Sequence, residues 1–327
     1  MNLNSNNNVA VVLFQLGGPD SLEAVEPFLY NLFCDPDIID FPGAFLARKT
    51  LAKFISSRRS KRVIENYRLI GGKSPIGDLT NRQAHSLQIE LNKQINTKVF
   101  IAMRYWHPLI EEVVQDIRSE QFEQIILLPL FPHYSKATTG SSLNEWKRQC
   151  KTQKLDSPST KTINAYYDHP LYIEAIVRNI RIALAKFSHL TSDQIDLIFS
   201  AHGTPINLVN AGDPYSDHIK ETMRLVMKNG GWESPHVLCY QSKVGPVQWL
   251  KPSLSETINA LAANGRKHFL IIPISFVTDH IETLHEINIE VRKEAVQLGI
   301  EQFEIMPALN DSPKFIQCLK DLVLSNI

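Results

Sequence analysis

The strongest constraint in this chain is a recurring pair of patterns. Short, continuous apolar runs occur at Val9–Phe14, Val99–Met103, Gln124–Leu130, Ile195–Ser200, His236–Tyr240 and His268–Ile274. A strand with one wet face alternates apolar and polar residues. Unbroken apolar runs therefore mark strands buried on both faces of a parallel sheet. Between them lie stretches of helical period at Thr80–Ile95, Leu109–Ser119, Leu171–Ser188, Ser216–Asn229, Ser253–Asn264 and Ile281–Leu298. Parallel neighbours need long crossovers, which helices supply, so the alternation predicts an α/β doubly wound architecture.

The two halves echo each other. Ile126-Leu127-Leu128-Pro129-Leu130-Phe131 and Leu270-Ile271-Ile272-Pro273-Ile274-Ser275-Phe276 each end a strand and open a polar loop. Earlier in each half a strand ends near a proline, at Arg104–Pro108 and at Gln241–Pro246. We expect two similar Rossmann-like domains, each a parallel sheet flanked by helices, spanning residues 1–165 and 166–327. They should meet near Lys161–Pro170, with the last helix able to pack back on the first domain.

Composition excludes several classes. With 34 Lys+Arg against 34 Asp+Glu there is no basic excess to hold nucleic acid. At 43% hydrophobic and 21% charged, the chain is too apolar for disorder. Cys34, Cys150, Cys239 and Cys318 lie far apart with no CxxC spacing, which fits reduced core thiols rather than a zinc or redox motif. The N-terminus lacks the basic start and apolar stretch of a signal peptide. Apolar runs such as Ile125–Phe131 fall far short of the roughly 20 residues that span a bilayer. A cytoplasmic protein is expected, with contact at a membrane surface left open.

In doubly wound sheets ligands bind beyond the carboxyl ends of strands, so chemistry should follow the apolar runs. Gln15-Leu16-Gly17-Gly18-Pro19-Asp20 is not GxGxxG and leaves a tight turn as open as ligand approach. Phe199-Ser200-Ala201-His202-Gly203-Thr204-Pro205 delivers His202 from a buried strand onto a loop, where imidazole could take a proton or ligate a metal. Ser200 and His202 are too close in sequence, without an elbow, for a hydrolase pair. Asp279, Glu282, Glu286 and Glu290, flanked by His280 and His285, form one line on a helix. Like charges stacked this way either face water or share a cation, and carboxylates with imidazole suit a divalent first-row metal. Finally, residues 41–62 hold seven cations and no acid, interleaved with Phe41, Phe45, Leu46, Leu51, Phe54 and Ile55. Such a helix could lie on an anionic membrane, bind a carboxylated apolar ligand, or simply face the core.

In order along the chain, these strings resemble the ferrochelatase family. They are Leu16-Gly17-Gly18-Pro19, Ile70-Gly71-Gly72-Lys73-Ser74-Pro75-Ile76, Met103-Arg104-Tyr105, and Thr138-Thr139-Gly140-Ser141-Ser142. They continue through Ser200-Ala201-His202, Gly212-Asp213-Pro214-Tyr215, Gln241–Pro246 and Asp279-His280-Ile281-Glu282-Thr283-Leu284. The likeness runs from about Val9 to the C-terminus. It implies an enzyme that inserts ferrous iron, as substrate, into protoporphyrin IX, in a cleft between two Rossmann-like domains without nucleotide. It implies His202 and Glu282 as the catalytic, metal-binding pair, with Asp279, Glu286 and Glu290 continuing the acidic row. It places Arg59, Arg62 and Tyr67 in a porphyrin lip, and Leu16, Arg104, Tyr105, Phe131, Tyr134 and Tyr166 along the cleft.

Departures from the family pattern shape further expectations. The chain lacks a Cys-rich C-terminal extension and has Lys136 where cluster-bearing relatives place Cys, so no iron–sulfur cluster is expected. Leu16 stands where animal relatives have Met, and Phe131 where they have Tyr, which argues against axial or relay roles there. Coproporphyrin or another tetrapyrrole is the alternative substrate, and a non-catalytic tetrapyrrole carrier is a further alternative. Residues 41–62 suggest peripheral contact at the inner membrane, and no nucleic-acid partner is implied.

Overall fold

The structure, a computed structural model, describes residues 8–38, 44–155, 158–242 and 247–327. The N-terminal lead-in, Phe41 and Lys243–Pro246 lie outside the described residues, as do the side chains of Phe45 and Leu46. The chain divides into two compact units. One runs to Ala165 and takes in Ile316–Ile327, and the other is Tyr166–Phe315.

The first unit is built on β1 (Val9–Gln15), β2 (Thr97–Met103), β3 (Gln124–Pro129) and β4 (Ser159–Thr162), all parallel, in the order β2-β1-β3-β4. Every residue of β1 and β3 is buried, which is why their sequences do not alternate. Val12 lies level with Phe100 of β2 and Leu127 of β3. Ala10, Val12 and Phe14 pack on Ile110, Val113, Val114 and Ile117 of helix Ile110–Ser119, and Trp146 meets Phe14 edge-on at 5.8 Å. Burying such side chains stabilises the unit by about 1.5–3 kcal/mol each. The C-terminal residues belong to this unit. Gln124 donates to the Asn326 carbonyl at 3.0 Å, and Lys161 to the Ile327 carbonyl at 3.1 Å.

The second unit repeats the plan with β5 (Ile195–His202), β6 (His236–Gln241), β7 (His268–Pro273) and β8 (Gln302–Ile305), again parallel, in the order β6-β5-β7-β8. Ile198, Cys239, Phe269 and Ile271 of the sheet pack with Ile258, Ile287, Ala295 and Phe303. The α/β reading with two similar parallel sheets thus describes the molecule.

Differences from the sequence reading lie where the apolar signal is weak. β4 is Ser-Thr-Lys-Thr and β8 is four residues long, so neither carries an apolar run. Helices Val25–Phe33 and Ser141–Gln153 were not expected. The basic helix spans Ala44–Leu69, continuing beyond Arg62. The helix expected at Thr80–Ile95 runs Ile76–Leu91, starting directly after Pro75, whose fixed φ suits a helix entrance. The stretch Ile281–Leu298 is not one α-helix. Glu282–Val291 is a wide-turned π-helix followed by an α-helical piece, Arg292–Gln297.

Candidate active site

Three neighbouring strand ends assemble the polar cluster of the second unit. β5 ends on His202, which lies level with Gln241 at the end of β6, so Ser242 follows directly beside it. β7 ends at Pro273 and leads through Ser275 and Phe276 to the π-helix that carries Glu282. The backbone holds His202 firmly. Its amide donates to Ser275 Oγ at 2.9 Å, and Tyr215 donates its hydroxyl to the His202 carbonyl at 3.2 Å. Gly203 donates its amide to the Gln241 carbonyl at 2.6 Å. A Cβ there would sit 2.7 Å from that oxygen, so only glycine lets the two chains approach so closely.

His202 and Glu282 form the central pair, with Nδ1 2.8 Å from Oε2. An ionised carboxylate only accepts, so Nδ1 carries the hydrogen and Nε2 is left as the proton acceptor. The imidazole is 37% exposed, so the acceptor can be reached. Desolvation opposes a charge on the ring, but the Glu282 carboxylate, its hydrogen bond and Glu286 outweigh it and raise the His202 pKa. Desolvation likewise opposes charge on Glu282, and His202, with smaller help from His280 and Ser242, holds its pKa well below the usual carboxylate range. Glu286 differs. Burial and the neighbouring Glu282 charge push it up to about 7. One carboxyl therefore stays charged while the next exchanges a proton near neutrality.

Ser242 lies between the two acids, its Oγ 3.2 Å from Glu282 Oε2 and in a short hydrogen bond with Glu286 Oε2, its one hydrogen going to one of them at a time. His280 is buried beneath. Its Nδ1 donates to the Thr278 carbonyl at 3.0 Å, its Nε2 lies 3.9 Å from Glu282, and desolvation lowers its pKa. Phe276 lies between the rings of His202 and His280, meeting the latter at 4.4 Å.

The rest of the acidic row divides by role. Asp279 accepts from Thr283 Oγ1 at 3.0 Å and from the Asn310 amide at 2.9 Å, so it fixes the start of the helix. Glu290 is 48% exposed and lies 3.9 Å from the buried His285. The line from Glu282 through Glu286 to Glu290 thus runs from buried to wet. Among the described residues no group of three or more His, Cys, Asp or Glu side chains stands ready to hold a metal ion.

In the first unit, Arg104 and Tyr105 join a buried network around Asp35. Arg104 Nη2 pairs with Asp35 Oδ1 at 2.8 Å, and the Tyr105 hydroxyl donates to Oδ2 at 2.6 Å. Arg104 Nε also donates to Ser141 Oγ at 2.8 Å. Desolvation would raise the Asp35 pKa, yet Arg104, Ser141 and Tyr105 together lower it. Both predicted residues are thus already engaged inside the protein. Leu16, Phe131 and Tyr134 are half-buried at the ends of β1 and β3, and Tyr67 is buried. Arg59 and Arg62 are exposed, Arg59 lying over the Phe33 ring at 5.5 Å. Tyr166, in the second unit, is buried edge-on against Tyr172. The Gly17-Gly18 pair serves close packing, since Gly17 has φ +84° and a Cβ on Gly18 would lie 2.7 Å from Ser74 Cβ.

Ser242, Ser275, Tyr215 and Asp35 were not expected as partners. The signal available for the first two was their place just after a buried strand.

Known proteins of the same fold define the class. CbiX, described as the terminal enzyme for biosynthesis of sirohaem in denitrifying bacteria, superposes with a TM-score of 0.53 at 12% identity, covering 98% of this chain and 99% of that one. SirB from Bacillus subtilis with Fe3+ gives 0.57 at 10% identity, covering 98% and 95%. At such identities these place the chain in the chelatase fold, and nothing more. Sequence narrows the class. The ferrochelatase family model matches residues 8–327. The ferrochelatase of Geotalea daltonii is 48% identical over 316 residues, 97% of each chain. That of Aquifex aeolicus is 45% identical over 317 residues, 97% of this chain and 99% of its own. The chain belongs to the ferrochelatase family.

Proposed function

We propose that ferrochelatase chemistry, the insertion of Fe2+ into protoporphyrin IX, takes place at the His202–Glu282 pair. The observation that carries this reading is the 2.8 Å contact that fixes the tautomer of His202 and leaves Nε2 as a base. A free porphyrin holds two pyrrole N–H protons that must leave as the metal enters. Nε2 accepts such a proton, and the charged Glu282 stabilises the imidazolium that results. Glu286, pushed up to about 7, can take a proton and release it toward the exposed Glu290. The carboxylates of the row suit successive contacts with a hydrated divalent ion passing inward, since they form no ready-made cage among the described residues. Apolar contacts elsewhere on the ring would bend it and expose its nitrogen lone pairs.

Arg59 and Arg62 are exposed and suited to porphyrin propionates. On the same helix Phe54 is 64% and Leu51 37% exposed among basic residues, which supports peripheral contact with anionic lipid from a cytoplasmic position. Among the described residues no helix is long and apolar enough to cross a membrane. The cysteines support a chain without an iron–sulfur cluster. They sit on four separate elements, Cys34 at the end of helix Val25–Phe33, Cys150 in helix Ser141–Gln153, Cys239 in β6 and Cys318 in helix Pro313–Leu324, and are far apart in sequence.

Anaerobic mixing with Fe2+ and protoporphyrin IX, followed at the Soret band, tests the substrate assignment. Multiple turnovers support it. One-to-one binding without turnover would indicate a carrier, and faster turnover of coproporphyrin would reassign the substrate.

A further inference from the structure

The backbone at Ser242 is unusual in a way the reaction so far does not use. Its φ is +62°, in the left-handed region where a Cβ costs about 1–2 kcal/mol and glycine is the ordinary occupant. The neighbouring Gly203 is shaped to lie against this corner, since a Cβ on it would come within 3.3 Å of the Ser242 carbonyl. Strain of this kind persists where the surroundings demand a particular side chain at that point. Here the side chain is a hydroxyl set between two carboxylates of one helix, Glu282 at 3.2 Å and Glu286 in a short hydrogen bond. Glu282 Oε2, the oxygen that accepts from His202, is the one Ser242 also reaches. Without a hydroxyl between them to share its one hydrogen, the two carboxyls, four residues apart, would lose the group that holds them at this spacing.

We propose that Ser242 is a positioning residue. Its hydroxyl sits against both acids and gives its one hydrogen to Glu282 or to Glu286, which keeps Glu282 beside His202 Nδ1, and the left-handed backbone is what places it there. The proposal deepens the reading of His202 and Glu282 as the reacting pair and rests on it.

Ser242→Gly separates the backbone from the hydroxyl, because glycine relaxes φ while deleting the donor. The expected result is an unchanged or raised Tm and a KM for protoporphyrin IX within about twofold, with kcat lower by about tenfold or more, since an aligning contact is lost rather than a substrate contact. Ser242→Asn tolerates the left-handed backbone and brings back two N–H donors, so kcat should return to within about threefold of the wild type. A Ser242→Gly enzyme with wild-type kcat overturns the proposal. So does a loss expressed as a higher porphyrin KM at unchanged kcat, which would put the hydroxyl on the substrate. Ser242→Asn no better than Ser242→Gly also counts against it. His202→Ala, assayed alongside, tests the parent reading separately. If it is inactive while Ser242→Gly is fully active, only the role of Ser242 falls.

Discussion

At the scale of single residues, neighbouring groups of the candidate site differ in proton affinity. Glu282 is held charged by His202, whereas Glu286, four residues on, is pushed up to about 7 by burial and by Glu282 itself. A row graded in this way predicts graded mutational costs. Glu282→Gln removes the charge that stabilises an imidazolium and should lower kcat by about a hundredfold or more, within the range of general acid–base contributions. Glu290→Gln, at a side chain that is 48% exposed and eight residues beyond Glu282, should cost less than about threefold. Steady-state kinetics on both variants decides, and equal losses would contradict the gradient. His202 and Glu282 were expected together from the family resemblance, and the structure brings them into contact. Ser242 and Ser275 were not expected, because their partners depend on three strand ends lying side by side, and strand order is written in no local pattern.

At the scale of elements, the apolar runs identified six strands: the four inner ones, β1, β3, β5 and β7, where burial on both faces leaves an unbroken signature, and the edge strands β2 and β6. The other two edge strands, Ser159–Thr162 and Gln302–Ile305, carry no such run and went unseen. The π-helix at Glu282–Val291 was read as α-helix, since a spacing of four keeps side chains roughly in line in either form. The Asp35 network was equally hidden, although it joins the loop after helix Val25–Phe33 to β2 and helix Ser141–Gln153. Asp35→Asn leaves the buried Arg104 with only the longer 3.8 Å contact to Glu145 as a charge partner and should destabilise the first unit by about 2 kcal/mol, measurable by urea denaturation. Because folding lowers the Asp35 pKa, its contribution is fully present above the unfolded value of about 4 and is lost as pH falls through the folded value. The gap between wild type and variant should therefore narrow only in acid. A gap that is constant from pH 7 down to pH 3 would argue against this account.

At the scale of the whole molecule, zero net charge conceals two charged stretches far apart in the sequence. Residues 41–62 hold seven cations and no acid, while Asp279–Glu290 holds four acids and no Lys or Arg. The first suits anionic lipid or propionates, and the second suits a cation and the protons it displaces. If lipid contact is electrostatic, flotation with phosphatidylserine-containing vesicles should fall with rising salt and with Lys53→Glu/Arg58→Glu, whereas neutral vesicles should bind little. Salt-independent flotation would point to another mode. The central claim, that His202 receives the pyrrole protons, is tested most directly by His202→Ala in the anaerobic Soret assay, with Tm and porphyrin binding measured on the same sample. The account predicts native stability, retained porphyrin binding and less than about a tenth of wild-type turnover. A stable variant that keeps a tenth or more of that turnover would contradict it.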